Sequence, residues 1–281
     1  VWIASNHGLF LRRWGAPKAQ LVVGEASTAV AASDDLVASG SDEKLWLVDG
    51  SSGVLMRWEW VSNVATGAGG PIDDAITSLA FGTPLRHGVG DGGASSSSPQ
   101  DLYIGTPSCL NVRSGVDGVI SRLGADEGMP LTNLTALVPT DAGLWIGSRR
   151  GAALWAPASR LPWRYFYGAR WLVGGYVQAA AISARNGSVT FATEEGLNWL
   201  SPRAFSLAGK ASHYAGVLAE RHMRHGLVAD CRLARFGDTA HVTQTDSDNN
   251  GLWTAIALVA AYFEYELTRS DEARARASKL F

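Results

Sequence analysis

Ala142-Gly143-Leu144-Trp145-Ile146-Gly147-Ser148-Arg149-Arg150-Gly151-Ala152 is the stretch that decides the fold. An apolar, β-prone run (Leu144-Trp145-Ile146) ends in two small residues. A polar pair then leads through Gly151 into a second apolar run, Ala153-Leu154-Trp155. Two short β-prone runs joined by small residues fold back on each other as a hairpin. The arrangement recurs along the chain. First runs stand at Val1-Trp2-Ile3-Ala4-Ser5, Leu36-Val37-Ala38-Ser39-Gly40, Leu102-Tyr103-Ile104-Gly105-Thr106 and Val189-Thr190-Phe191-Ala192-Thr193. Their partners are Gly8-Leu9-Phe10-Leu11, Lys44-Leu45-Trp46-Leu47-Val48, Cys109-Leu110-Asn111-Val112 and Gly196-Leu197-Asn198-Trp199-Leu200.

Three of the hairpins are preceded by a further apolar strand, at 76–81, 134–138 and 177–182, and a fourth strand fits 119–123. Four short strands per unit of about 40 residues is the blade pattern of a β-propeller. The expectation is therefore a mainly β fold, with at least five propeller blades over residues 1–202. The second and third units are spaced too widely, and the Gly- and Ser-rich stretches 66–71 and 86–100 read as flexible insertions in a blade loop. The repeats resemble those of the two-component-regulator propeller family, whose pattern is Gly, any residue, Leu-Trp-Ile-Gly-Thr, two residues, Gly-Leu. Residues 142–152 match best, followed by 1–9 and 102–110. Nothing resembles a kinase or receiver. Sensor propellers of this kind usually carry more than five blades, and no strand precedes Val1. The expectation is a chain that starts partway through a longer protein. The alternative is a five-bladed ring closed by some other strand.

After Ser201-Pro202 the period changes. Residues 204–225 have helical spacing and stop at Gly226, which reads as a C-terminal cap. A loop is expected over 227–250 and an apolar helix over 252–268. A third helix, 272–281, is capped by Ser270-Asp271-Glu272, with acids at the positive end of its dipole. The expected second domain is thus helical, 203–281. Its run Asp246-Ser247-Asp248-Asn249-Asn250-Gly251-Leu252-Trp253-Thr254 is similar to what opens a helix in α/α-toroid (six-hairpin) carbohydrate enzymes, which implies the start of an α/α domain.

Composition narrows the function classes. The 281 residues are 46% hydrophobic and 18% charged, with a net charge of −2. That describes a folded globular chain with no basic face for nucleic acid. The longest apolar run, 252–263, falls short of the roughly 20 residues a membrane-spanning helix needs. Cys109 and Cys231 are too few for a disulfide framework and read as two buried thiols. The sequons Asn133-Leu134-Thr135 and Asn186-Gly187-Ser188 are compatible with secretion, and an extracellular location is the expectation.

Residues 246–251 carry the sharpest chemical motif. Asp246, Asp248 and Asn250 stand at positions one, three and five of a calcium-loop pattern, with Gly251 at six. Position twelve is Ala257 rather than an acid, so a helix-capping Asx turn is the competing reading. Calcium is the one cofactor expected. His213, His222, His225 and His241 fall close to Glu220, Asp230 and Cys231. His222 and His225 share a helical face in this reading, as a metal or catalytic pair or as solvated histidines. The segment 163–171 packs five aromatic residues and two arginines. Trp163, Tyr165, Arg170 and Trp171, together with His241, form the candidate ligand-binding set, against the plainer role of blade packing. The leading functional reading is an interaction or ligand-binding scaffold for a protein or glycan, one component of a larger assembly. The alternative is a glycoside hydrolase or polysaccharide lyase with an α/α catalytic domain. Asp246 and Asp248 would then be its carboxylates, or His241 or Tyr214 its base.

Overall fold

In a computed structural model, residues 1–62, 72–73, 75–85, 99–183 and 185–281 are described, apart from the side chains of 58–62 and 73. The insertion 66–71 and residues 86–98 of the insertion 86–100 lie outside them. The chain forms two compact units, Val1–Pro202 and Arg203–Phe281.

The first unit is a series of five antiparallel meanders. Sheet I holds β1 (Trp2–Ser5), β2 (Gly8–Leu11) and β3 (Gln20–Val23). Sheet II holds β4 (Ala29–Ala32), β5 (Leu36–Gly40), β6 (Lys44–Asp49) and β7 (Leu55–Ser62), with β8 (Ile72–Asp73) added parallel to β7. Sheet III runs β9 (Ser78–Gly82), β10 (Asp101–Gly105), β11 (Leu110–Arg113), β12 (Ile120–Leu123). Sheet IV runs β13 (Leu134–Thr140), β14 (Gly143–Ser148), β15 (Gly151–Trp155), β16 (Trp163–Phe166). Sheet V holds β17 (Val177–Ile182), β18 (Val189–Thr193) and β19 (Gly196–Leu200).

One hairpin in each of the five sheets turns by the same device. The hydroxyl of Ser5, Ser41, Thr106, Ser148 or Thr193 accepts a backbone N–H two or three residues ahead and points back to the carbonyl of the third residue. A short hydroxyl side chain thereby mimics a backbone turn and closes the loop before the next strand starts.

Successive sheets are joined by a second device. Thr28, Thr77 and Thr135 stand beside the first strand of sheets II, III and IV. The Thr28 hydroxyl lies 2.8 Å from the Ile76 carbonyl, and that of Thr77 2.6 Å from the Leu134 carbonyl. Thr135 donates likewise to Val177. Each hydroxyl therefore ties its own sheet to the first residues of the next. Backbone bonds follow the same path, Ser27 N–H to Ser5, Ile76 to Ser41 and Leu134 to Thr106.

The glycine of the repeat motif makes room for this contact. A Cβ on Gly40 would lie 2.6 Å from Ile76 Cγ2, and one on Gly147 would lie 2.6 Å from Val177 Cγ1. The core is correspondingly a row of apolar layers between neighbouring sheets. Leu9, Val37 and Trp46 fill the first, and Leu45, Ile76 and Ile104 the second. Tyr103, Leu134 and Ile146 fill the third, and Trp145, Val177 and Phe191 the fourth.

The second unit contains α1 (Leu207–Val217), a π-helical turn (Leu218–His222), β20 (Met223–Arg224), β21 (Leu227–Val228), β22 (Asp230–Leu233), β23 (Val242–Thr245), α2 (Asn250–Thr268) and α3 (Asp271–Leu280). The expected helix to His225 ends earlier. His225 (φ 51°) and Gly226 (φ 85°) are instead the two central residues of the β20–β21 hairpin, a turn that needs positive φ at both. The expected loop 227–250 holds a second hairpin, β22–β23. The third helix starts as anticipated, with the Ser270 hydroxyl accepting the Ala273 N–H and Asp271 and Glu272 in the first turn. Among the described residues no helix is long and apolar enough to cross a membrane.

Candidate ligand-binding surface

Strand alternation divides the aromatic segment of sheet IV. Trp163 and Tyr165 point to one face of β16, Phe166 to the other. Trp163 stacks on Trp155 (5.9 Å, 26°) and its indole N–H donates to the Glu127 carbonyl at 3.2 Å, so it seals the sheet. Phe166 packs on Trp145 inside the fourth layer and carries Trp171 edge-on at 5.2 Å. Arg170 lies over the Trp171 ring at 5.0 Å.

Tyr165 is different. It is 46% exposed and stacks nearly parallel to Tyr167, which is 54% exposed (6.1 Å, 3°). Its hydroxyl donates to the Arg150 carbonyl at 2.6 Å, in the β14–β15 turn. Burial, and then Tyr167, push the Tyr165 phenol above its ordinary range. The connection from β16 to β17 is drawn onto the same turn, because the Gly151 N–H donates to the Gly175 carbonyl (2.7 Å) and Arg149 covers the Tyr176 ring (5.5 Å). Glu194, in the β18–β19 turn, accepts the N–H groups of Gly175 (3.1 Å) and Tyr176 (2.8 Å). Two turns and one connection thus hold Arg149, Tyr165, Tyr167 and Tyr176 at one edge of sheets IV and V. The arrangement offers flat rings, a cationic side chain and a carboxylate on a rigid support.

Sequence reasoning named Tyr165, Arg170 and Trp171 but not Arg149, Tyr176 or Glu194. The usable signal for Arg149 and Glu194 was their position in the β14–β15 and β18–β19 turns. His241 belongs to the second unit, where its Nδ1 sits 3.0 Å from both oxygens of Asp238, which also pairs with Arg235.

In the acidic turn, Asp246 accepts from Arg224 Nη1 at 2.6 Å and is widely exposed. Asp248 is also exposed, 3.4 Å from the Ser247 hydroxyl. Ser247, not an Asp, accepts the Asn249 N–H ahead of α2, and Asn249 caps the helix without a side-chain bond. The Asn250 side-chain oxygen is buried without a hydrogen-bond partner. Calcium would have to compete with the Arg224 guanidinium for Asp246. Among the described residues, no group of three or more His, Cys, Asp and Glu side chains is placed to hold a metal ion. Neither thiol is in a disulfide; Cys109 is buried and Cys231 half-buried.

These features define a chain built from repeated antiparallel β-meanders with exposed aromatic and charged turns. No family model matches it, and no curated protein matches it in sequence. Its structure is similar to the extracellular domain of the hybrid two component system BT3049 from B. thetaiotaomicron (14% identity, TM-score 0.52), covering 88% of this chain and 31% of that one. It also matches PorZ, a bacterial surface component of the type-IX secretion system of Porphyromonas gingivalis (16% identity, TM-score 0.43), over 82% of this chain and 28% of that one. The first likeness shows a shared fold. The chain spans less than a third of either protein's length.

Proposed function

We propose that residues 1–202 are consecutive blades of a β-propeller that serves as a glycan-binding scaffold in an extracellular or surface protein, as part of a larger assembly. The observation that carries the reading is the Tyr165–Tyr167 pair. Two exposed, parallel rings, one anchored through its hydroxyl to the Arg150 carbonyl, make a preformed apolar platform, and the Arg149 guanidinium lies over the Tyr176 ring on the connection held to the same turn. Preformed rings bind with little ordering cost. The repeated threonine ties support a stack of blades, since each blade fixes the start of the next. The fold shared with an extracellular domain of a two component system supports the location.

The test is a fluorescence titration of the whole chain with a panel of soluble oligosaccharides. Binding that weakens at least about tenfold in Tyr165→Ala and Tyr167→Ala, each loss worth about 1.4 kcal/mol or more, supports the reading. Binding untouched by both substitutions, or no binding to any member, overturns the glycan assignment.

A further inference from the structure

The second unit contains a cysteine–histidine contact that the scaffold reading does not use. Helix α1 loosens into a single π turn, Leu218–His222, a feature that often marks functional sites. His222 ends that turn and is fixed twice by Ala229. The Ala229 N–H donates to the His222 carbonyl at 2.8 Å, and the Ala229 carbonyl lies 3.0 Å from His222 Nδ1. A carbonyl only accepts, so in the neutral ring Nδ1 carries the hydrogen and Nε2 is left as an acceptor. Cys231 Sγ lies 3.6 Å from that Nε2. A thiol, a base within reach of its proton, and a third group that orients the base are the three parts of an activated nucleophile. Cys109 differs, being fully buried among Thr106 and Asn111 in the first unit.

The same imidazole lines a groove of about 670 Å³ within this unit, between α1, α2 and α3. That is the size of a small-molecule site. Its wall is mainly aliphatic, with Ala215, Leu218, Ile256 and Ala257, and Asp230 also faces it.

We propose that Cys231 is a nucleophilic thiol with His222 as its base, and that the groove holds the aliphatic chain of an acyl ester whose acyl group passes to the sulfur. Nε2 takes the thiol proton as the sulfur bonds to the ester carbonyl carbon. The carbon–oxygen ester bond breaks, and the leaving alcohol takes the proton from the imidazolium. The products are a thioester on Cys231 and a free alcohol, with no change of oxidation state.

The probe is p-nitrophenyl octanoate on the whole chain, followed by nitrophenolate release and peptide mass. One release per chain and one octanoyl group on Cys231 are expected, both absent in Cys231→Ala. His222→Asn keeps a donor for the Ala229 carbonyl but removes Nε2. It is expected to slow acylation about a hundredfold, within the range of general-base contributions, while the melting curve is retained. Ala257→Trp fills the groove and is expected to slow the octanoate at least several-fold more than the acetate ester. Equal acylation of Cys231 in the native and urea-unfolded chain, an unchanged rate in His222→Asn, or no adduct overturns the proposal. An Ala257→Trp variant that slows both esters alike, or neither, removes the groove from it.

Discussion

Gly147→Ala tests the stacking of the sheets at one atom. The added methyl would sit 2.6 Å from Val177 Cγ1 and 3.2 Å from Ala136 Cβ. Apolar carbons rest at about 3.5–4.0 Å, so Val177 has to retreat by about 1 Å. Val177 has no exposed surface and is the first residue of β17, so the retreat displaces the start of sheet V. Overpacking of this kind costs about 1–3 kcal/mol. For a unit of this size that corresponds to a melting temperature lowered by about 4–8 °C at the middle of the range. Val177→Ala alone removes two methyl groups and costs about 1.6 kcal/mol in transfer energy, with a cavity contribution added. In the double variant the methyl added at position 147 occupies the space that Val177 gives up. Its cost should therefore stay close to that of Val177→Ala, a coupling of about 1–3 kcal/mol. Urea melts followed by β-sheet circular dichroism measure all three. Ala192→Gly, at the equivalent position of sheet V, is the control, with a cost of about 0.5–1 kcal/mol from backbone entropy alone. A neutral Gly147→Ala, or strict additivity in the double variant, would refute the close approach of sheets IV and V.

Thr77→Val keeps the shape of the side chain but leaves the Leu134 carbonyl without its 2.6 Å donor. A loss of about 1–2 kcal/mol is expected in the same melts, largely restored by Thr77→Ser. The Asp49 carboxylate is held down to about 2 from 3.8, mainly by the Ser52 hydroxyl and N–H and then the Ser51 hydroxyl. Because its folded value is depressed, its contribution is present above about pH 4 and fades as pH falls towards 2; an NMR titration of Asp49 with a midpoint near 4 would contradict the turn geometry. Calcium should raise the melting temperature of Arg224→Ala more than that of the natural chain, since Arg224 otherwise holds Asp246, and no shift in either would remove the acidic turn as a calcium site.

Residue type and period made the strands of the first unit legible, because half of each strand faces a neighbouring sheet and has to be apolar. The hydroxyl turns were legible only as small residues. The sequence reading used the size of Ser41 or Thr106, whereas the fold uses their oxygens. The threonine ties were invisible, since they depend on which carbonyl of the next repeat faces each side chain. In the second unit the error lay at Gly226. A glycine after a helical pattern satisfies the cap rule, but positive φ is needed equally in a two-residue hairpin turn. Only the pairing of Met223 with Val228 separates the two. The aromatic segment read as one cluster splits in the structure, and the split comes from period two alone. Trp163 and Phe166 cannot share a face of β16.

Sheet V departs from sheets II to IV at two aligned positions. Register places Ala192 where Gly40, Gly105 and Gly147 stand, and Gln178 where Thr28, Thr77 and Thr135 stand. Both positions serve the same contact. The glycine receives the first apolar side chain of the next repeat, and the threonine ties down that residue's carbonyl. A single exchange could be drift at a tolerant site. The space and the donor are lost together when a face no longer has to accept an Ile, Leu or Val in that geometry. Leu197 and Trp199, on β19 opposite Ala192 and Thr190, agree with this, because both are large where Ala152 and Leu154 are packed away in sheet IV. The forward face of sheet V therefore lacks the glycine–threonine pair through which each of sheets II to IV receives the next sheet.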